Sequence, residues 1–91
     1  MGLNKIGKVL RDKRIEKNEY LKDMADFLGI STSHMSKLER GLEYYTKDMI
    51  LKLKDKYNLS NEDVFEMTKQ FQGSMTQIYD ILATLKDDGG V

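Results

Sequence analysis

The stretch from Leu21 to Gly41, LKDMADFLGISTSHMSKLERG, constrains this chain more than any other. Met24, Ala25 and Leu28 fall at the i, i+1, i+4 spacing of a buried helical stripe. Gly29 follows at the position where a helix commonly ends on a residue with positive φ, a conformation that glycine tolerates best. Ile30 is an apolar plug, and Ser31 is placed to cap a second helix, about 31–40. In that second helix Met35 and Leu38 point inward. Thr32, Ser33, His34, Lys37 and Arg40 are left for the surface, and Gly41 ends the run.

A turn of a few residues between two short helices is the helix-turn-helix signature. The 91 residues suffice for one small domain with one modest core. Hydrophobic content of 40% and charged content of 33% suit an ordinary globular protein. Cysteine is absent, which excludes disulfides and thiolate metal sites. No apolar run approaches the roughly 20 residues of a membrane span, and the start lacks an apolar signal segment, so the cytoplasm is the expected location. The formal net charge is zero, which is low for a nucleic-acid binder, but the charge is unevenly spread. Residues 1–54 hold 12 Lys/Arg against 8 Asp/Glu; residues 55–91 hold 3 against 7. The basic half contains the helix-turn-helix.

The pattern predicts a first helix over about Leu3–Asn18, with Ile6, Leu10 and Ile15 as its apolar face and Leu3 and Val9 beside them. Its remaining surface is largely cationic. Thr46 is placed to cap a helix over Lys47–Tyr57, in which Met49, Ile50, Leu53 and Tyr57 repeat at helical spacing, and Asn58 terminates it. Ser60 and Asp63 form a capping box for a helix from Asn61 to about Gln72, burying Val64, Phe65, Met67 or Thr68, and Phe71. Gly73 breaks the pattern. Ser74 and Gln77 form a second box for a helix from Met75 to about Lys86, with Met75, Ile78, Tyr79, Ile81, Leu82 and Leu85 apolar. Residues 87–91 read as a frayed tail. The expected fold is all-α: a compact five-helix domain over residues 1–72, with a sixth amphipathic helix and tail over 73–91 that either join the same compact unit or form a dimerisation element.

From Ile6 to about Phe65, the sequence resembles the phage-repressor type of helix-turn-helix domain, the Cro or XRE-like family. The KRI of the first helix, MADFLGIS across the turn and MSKLERG at the end of the pair carry the resemblance. Its matching positions are Ala25, Gly29, Ile30, Met35, Leu38, Glu39 and Gly41. The resemblance implies a five-helix lambda-repressor-like core and a transcriptional regulator, most simply a repressor, that reads the major groove with the second helix of the pair. It implies an ion pair between Arg14 and Glu39 that sets the angle of this helix, base-edge contacts from Thr32, Ser33 and Lys37, and a homodimer on a palindromic operator in double-stranded DNA. The chemistry suits those roles: short hydroxyls donate or accept at either base pair, and lysine reaches guanine O6 and N7. His34 and Ser36 flank that face. Asn18, Arg40, Tyr44, Tyr45 and Lys47 are candidates for phosphate contact, although Tyr44 and Tyr45 could equally close the core.

One departure bears on function. The family commonly has Thr or Ser and then Gln at the start of the first helix of the pair, where the glutamine bonds phosphate. Here Tyr20 and Leu21 stand there, with Glu19 at the usual apolar position before them. The last helix lies beyond the family core, and Ile78, Ile81, Leu82 and Leu85 are candidates for a dimer contact. The alternative is a function of a different class: a protein-interaction module of antitoxin or anti-repressor type that keeps the fold with weakened or lost operator binding. For an enzyme there is no acid–base constellation and no Gly-rich phosphate loop; no metal or other cofactor is expected.

Overall fold

The computed structural model describes residues 2–85. Six helices follow one another: α1 (Lys5–Glu16), α2 (Leu21–Leu28), α3 (Thr32–Glu39), α4 (Lys47–Tyr57), α5 (Asn61–Thr68) and α6 (Met75–Leu82). Local chemistry starts most of them. The side chains of Asn4, Ser31, Thr46, Ser60 and Ser74 each accept a hydrogen bond from a backbone N–H three residues on. Each satisfies one of the amides a helix start leaves without a partner. Asp63 and Gln77 complete the two capping boxes by accepting from the backbone N–H of Ser60 and Ser74. Gly29 ends α2 at φ 72 and Asn58 ends α4 at φ 50, both left-handed as their residue types predict.

One core joins all six helices. Ile6 and Leu10 of α1, Met24, Ala25 and Leu28 of α2, and Met35 and Leu38 of α3 meet in it. Ile50, Leu53 and Tyr57 of α4, Val64 and Met67 of α5 and Ile81 of α6 close it, with Tyr45 and Leu59 from the connections. Burying an aliphatic side chain of this size stabilises by about 1.5–3 kcal/mol, so Ile81 alone gives α6 a reason to dock. Of the two readings of residues 73–91, the described part thus belongs to the same compact unit.

The helix ends depart from the sequence expectation where tertiary contacts decide them. α1 spans 12 residues and not the stretch from Leu3 to Asn18, because Asn4 caps it and Asn18 turns the chain at φ 57. α5 stops at Thr68 and not near Gln72, because the following residues leave the helix to pair with the segment before α4. The Tyr45 N–H donates to the Gln70 carbonyl at 2.8 Å, and the Gln72 N–H to the Tyr45 carbonyl at 2.9 Å. That isolated parallel bridge is the one piece of β-type pairing among the described residues. α6 ends at Leu82, short of the expected Lys86, because residues 83–85 leave the helix in a tighter turn in which the N–H groups of Thr84 and Leu85 donate to the carbonyls of Ile81 and Leu82; Lys86 and the tail at 87–91 lie outside the described residues.

Several apolar residues assigned inward lie at the surface: Ile15 at the end of α1, Phe65 on α5, and Met75 and Tyr79 on α6. The stripe on α6 is thus split. Ile81 faces the core and Leu85 packs beside it, while Met75 and Tyr79 face away. No helix among the described residues is long and apolar enough to cross a membrane.

Candidate nucleic-acid interface

α3 is buried on one side and open on the other. Met35, Leu38 and Glu39 are buried, whereas Thr32, Ser33 and Lys37 are exposed. Ser33 and Lys37 are four residues apart and so share a face, with Thr32 one position before them at the helix start. The Ser31 hydroxyl accepts from the His34 N–H at 3.0 Å, so Ser31 is the cap and the Thr32 and Ser33 hydroxyls are left to the surface. His34 and Ser36 are half-buried flanks, and the Ser36 carbonyl accepts from Arg40 Nε at 3.4 Å.

The C-terminal end of α3 is held from several sides. The Asn4 N–H donates to the Glu39 carbonyl at 3.1 Å. Gly7 lies so close that a Cβ there would overlap the same carbonyl, which is why α1 carries glycine at this crossing. Arg14 Nη2 approaches Glu39 Oε1 at 3.9 Å, with 13% and 4% of the two side chains exposed. This ion pair was expected. Its looseness was not: Arg14 Nε and Glu39 Oε2 are buried with no hydrogen-bond partner. Burial pushes the Glu39 carboxyl above its ordinary range, and the cations of Arg14 and then Arg11 only partly oppose that.

The phosphate candidates separate on exposure. Tyr44 is 58% exposed in the loop after α3, whereas Tyr45 is fully buried and cannot contact phosphate. The Tyr45 hydroxyl points at the Leu38 carbonyl, 3.5 Å away, and burial raises its pKa. Asn18 is exposed in its left-handed turn. Lys47 is not free: its Nζ lies 3.0 Å from Asp80 Oδ2 on α6. Among the dimer candidates Ile81 is fully buried in its own core and cannot contact a second copy, while Ile78, Leu82 and Leu85 are half-buried.

The unpaired positive charge is concentrated on two elements. Among the described residues Lys8, Arg11, Lys13, Lys17, Lys37, Arg40 and Lys54 make no ion pair. All but Lys54 belong to α1, α3 or the residues that end them. Asp12 and Glu16 on α1 dilute this positive charge without neutralising it.

The start of α2 also departs from the pattern of the resemblance in an ordered way. Leu21 packs against the core, and Tyr20 is 78% exposed. Glu19, at the position expected to be apolar, accepts from the Tyr57 hydroxyl at 2.7 Å and pairs with Lys56 at 3.0 Å. Burial raises the Glu19 pKa, but the Tyr57 and Lys56 contacts outweigh it and hold the carboxyl below its ordinary range. Lys56 also lies over the Phe27 ring at 4.4 Å. A polar clasp therefore replaces an apolar plug between α2 and α4.

Asn4 and Gly7 escaped the sequence reading, and so did Gln70 and Asp80. Gln70 Nε2 donates to the carbonyls of Leu38 at 2.9 Å and Glu43 at 2.8 Å. Gln70 and Asp80 carry no local signal, because each acts on a segment more than twenty residues away. No group of three or more His, Asp or Glu side chains is gathered to hold a metal among the described residues. No family model matches the chain, and no curated protein or solved structure matches it either.

Proposed function

We propose that this chain is a sequence-specific DNA-binding transcriptional regulator, most simply a repressor, that reads the major groove with α3. One observation carries the reading: Thr32, Ser33 and Lys37 stay exposed on a helix whose opposite side and far end are fixed by the core. A rod held in this way can present its N-terminal turn to base edges, with Lys37 aimed at guanine O6 and N7 and the hydroxyls at neighbouring pairs. Tyr44, Arg40 and Asn18 are the phosphate partners, and the unpaired cations of α1 add attraction that does not depend on sequence. The resemblance to phage-repressor domains of the Cro or XRE type supports the same assignment. It also implies a homodimer on a palindrome with half-sites about 34 Å apart.

A second reading is a protein-interaction module of antitoxin or anti-repressor type. It draws on Leu21 in place of a phosphate-binding glutamine, on the neutralised Lys47 and on Met75 and Tyr79, each 64% exposed. Titration with random duplex DNA over a range of salt separates the two. A DNA reader binds at low salt, and log K falls against log salt by about 0.9 for each phosphate neutralised. Absence of binding at low salt favours the interaction module.

A further inference from the structure

The last carbonyls of a helix have no partner within it and must find donors elsewhere. At α3 the chain's own exit turn supplies part of them, the N–H groups of Arg40, Gly41 and Leu42 donating to the carbonyls of Ser36, Leu38 and Lys37, and residues distant in sequence supply the rest. Gln70, between α5 and α6, uses its whole amide: Nε2 donates to the carbonyls of Leu38 and Glu43, and Oε1 accepts from Asn4 Nδ2 at 2.7 Å. Asn4 in turn caps α1 through its Oδ1, which accepts from the Gly7 N–H at 2.8 Å, and its own N–H donates to the Glu39 carbonyl. The Gln70 backbone carbonyl accepts from the Tyr45 N–H, so side chain and main chain grip the same loop.

We infer that Gln70 is a positioning residue for the DNA-reading face: it fixes the C-terminal end of α3 and the loop bearing Tyr44 in one geometry. This rests on the DNA-binding reading. The two carbonyls that Gln70 bridges bracket residues 39–42, so one planar amide sets both where α3 stops and how the chain leaves it. α3 spans eight residues, about 12 Å, and a tilt of about 5° at its end moves the Thr32 turn by about 1 Å. Hydrogen bonds to base edges do not survive a displacement of that size, whereas attraction between cations and phosphates does. Gln70 therefore governs discrimination between sequences more than attraction to DNA.

The test uses the full chain and Gln70→Met, which keeps length and removes all three side-chain hydrogen bonds. Affinity is measured for a duplex recovered by selection from random sequences and for a random duplex, alongside amide hydrogen exchange. The selected duplex is expected to bind about tenfold more weakly and the random duplex equally well. Exchange is expected to accelerate at Gly41, Leu42 and Tyr45 while Met24 and Ala25 in α2 stay protected. Gln70→Asn, one methylene shorter with the amide retained, is expected to fall between, and serves in place of Gln70→Met if that variant does not fold. Equal losses on both duplexes, or unchanged exchange at Gly41 and Leu42, overturn the inference. If the unmodified protein binds neither duplex, the DNA reading has failed, and the exchange at Gly41 and Leu42 still decides whether Gln70 positions α3.

Discussion

At the scale of single residues, the contact between Arg14 and Glu39 carries more consequence than its length suggests. An exposed ion pair contributes about 0–1 kcal/mol, but removing one partner of a buried pair costs roughly 3–5 kcal/mol because a charge is left uncompensated. Glu39→Ala is expected to lower the melting temperature and the DNA affinity together; an unchanged melting temperature contradicts the role given to the pair. Glu39→Gln keeps the shape without the buried charge and is expected to cost less than Glu39→Ala in denaturant titrations. The pH dependence has a definite sign. Burial raises the Glu39 carboxyl above its ordinary 4.5, so between that value and its folded pKa the folded state holds more protons than the unfolded chain. The Glu39 contribution to stability is thus largest below that window and is lost as pH rises through it. Glu39→Gln is expected to remove this dependence, as difference titrations of folding stability would reveal. At the crossing of α1 and α3, Gly7→Ala forces a methyl group into the Glu39 carbonyl and is expected to destabilise by about 1–3 kcal/mol.

At the scale of elements, the sequence was most informative where a helix begins. A cap is a contact between residues three apart, so Ser31, Thr46, Ser60 and Ser74 could be identified without knowing the rest of the molecule. Helix ends were less legible because distant partners set them: α5 gives up its last expected turn so that residues 70–72 can pair with Tyr45. The open face of α3 was legible for a related reason, since Met35 and Leu38 define its inner side and leave Thr32, Ser33 and Lys37 opposite. Tyr44 and Tyr45 are adjacent and alike, and only packing could separate the exposed one from the buried one. Nothing local signals that Asp80 would cross from α6 to Lys47. That bridge predicts an effect on binding: Asp80→Asn frees Lys47 for phosphate. It is expected to raise affinity for random duplex and to steepen the salt dependence by about 0.9, the increment for one more phosphate. An unchanged slope would place Lys47 outside the interface.

At the scale of the whole molecule, α6 has two sides with separate consequences. Ile81 belongs to the common core, so Ile81→Ala is expected to cost about 2–5 kcal/mol in a protomer whatever its state of association. Met75 and Tyr79 face outward and are the apolar side chains of α6 best placed to meet a second copy. Met75→Glu with Tyr79→Glu is expected to halve the sedimenting mass and to lower the melting temperature only by the lost association; an unchanged mass places the homodimer contact elsewhere. The central claim, however, concerns α3. Its most direct test measures the affinity of the unmodified protein and of Lys37→Ala for a selected duplex and for single base-pair variants of it. The account predicts that Lys37→Ala abolishes discrimination at one guanine position, a loss of about 1–3 kcal/mol on the selected site, while discrimination at the other positions persists. A uniform loss across every duplex would reduce Lys37 to a phosphate contact and would contradict the assignment of α3 as the reading helix.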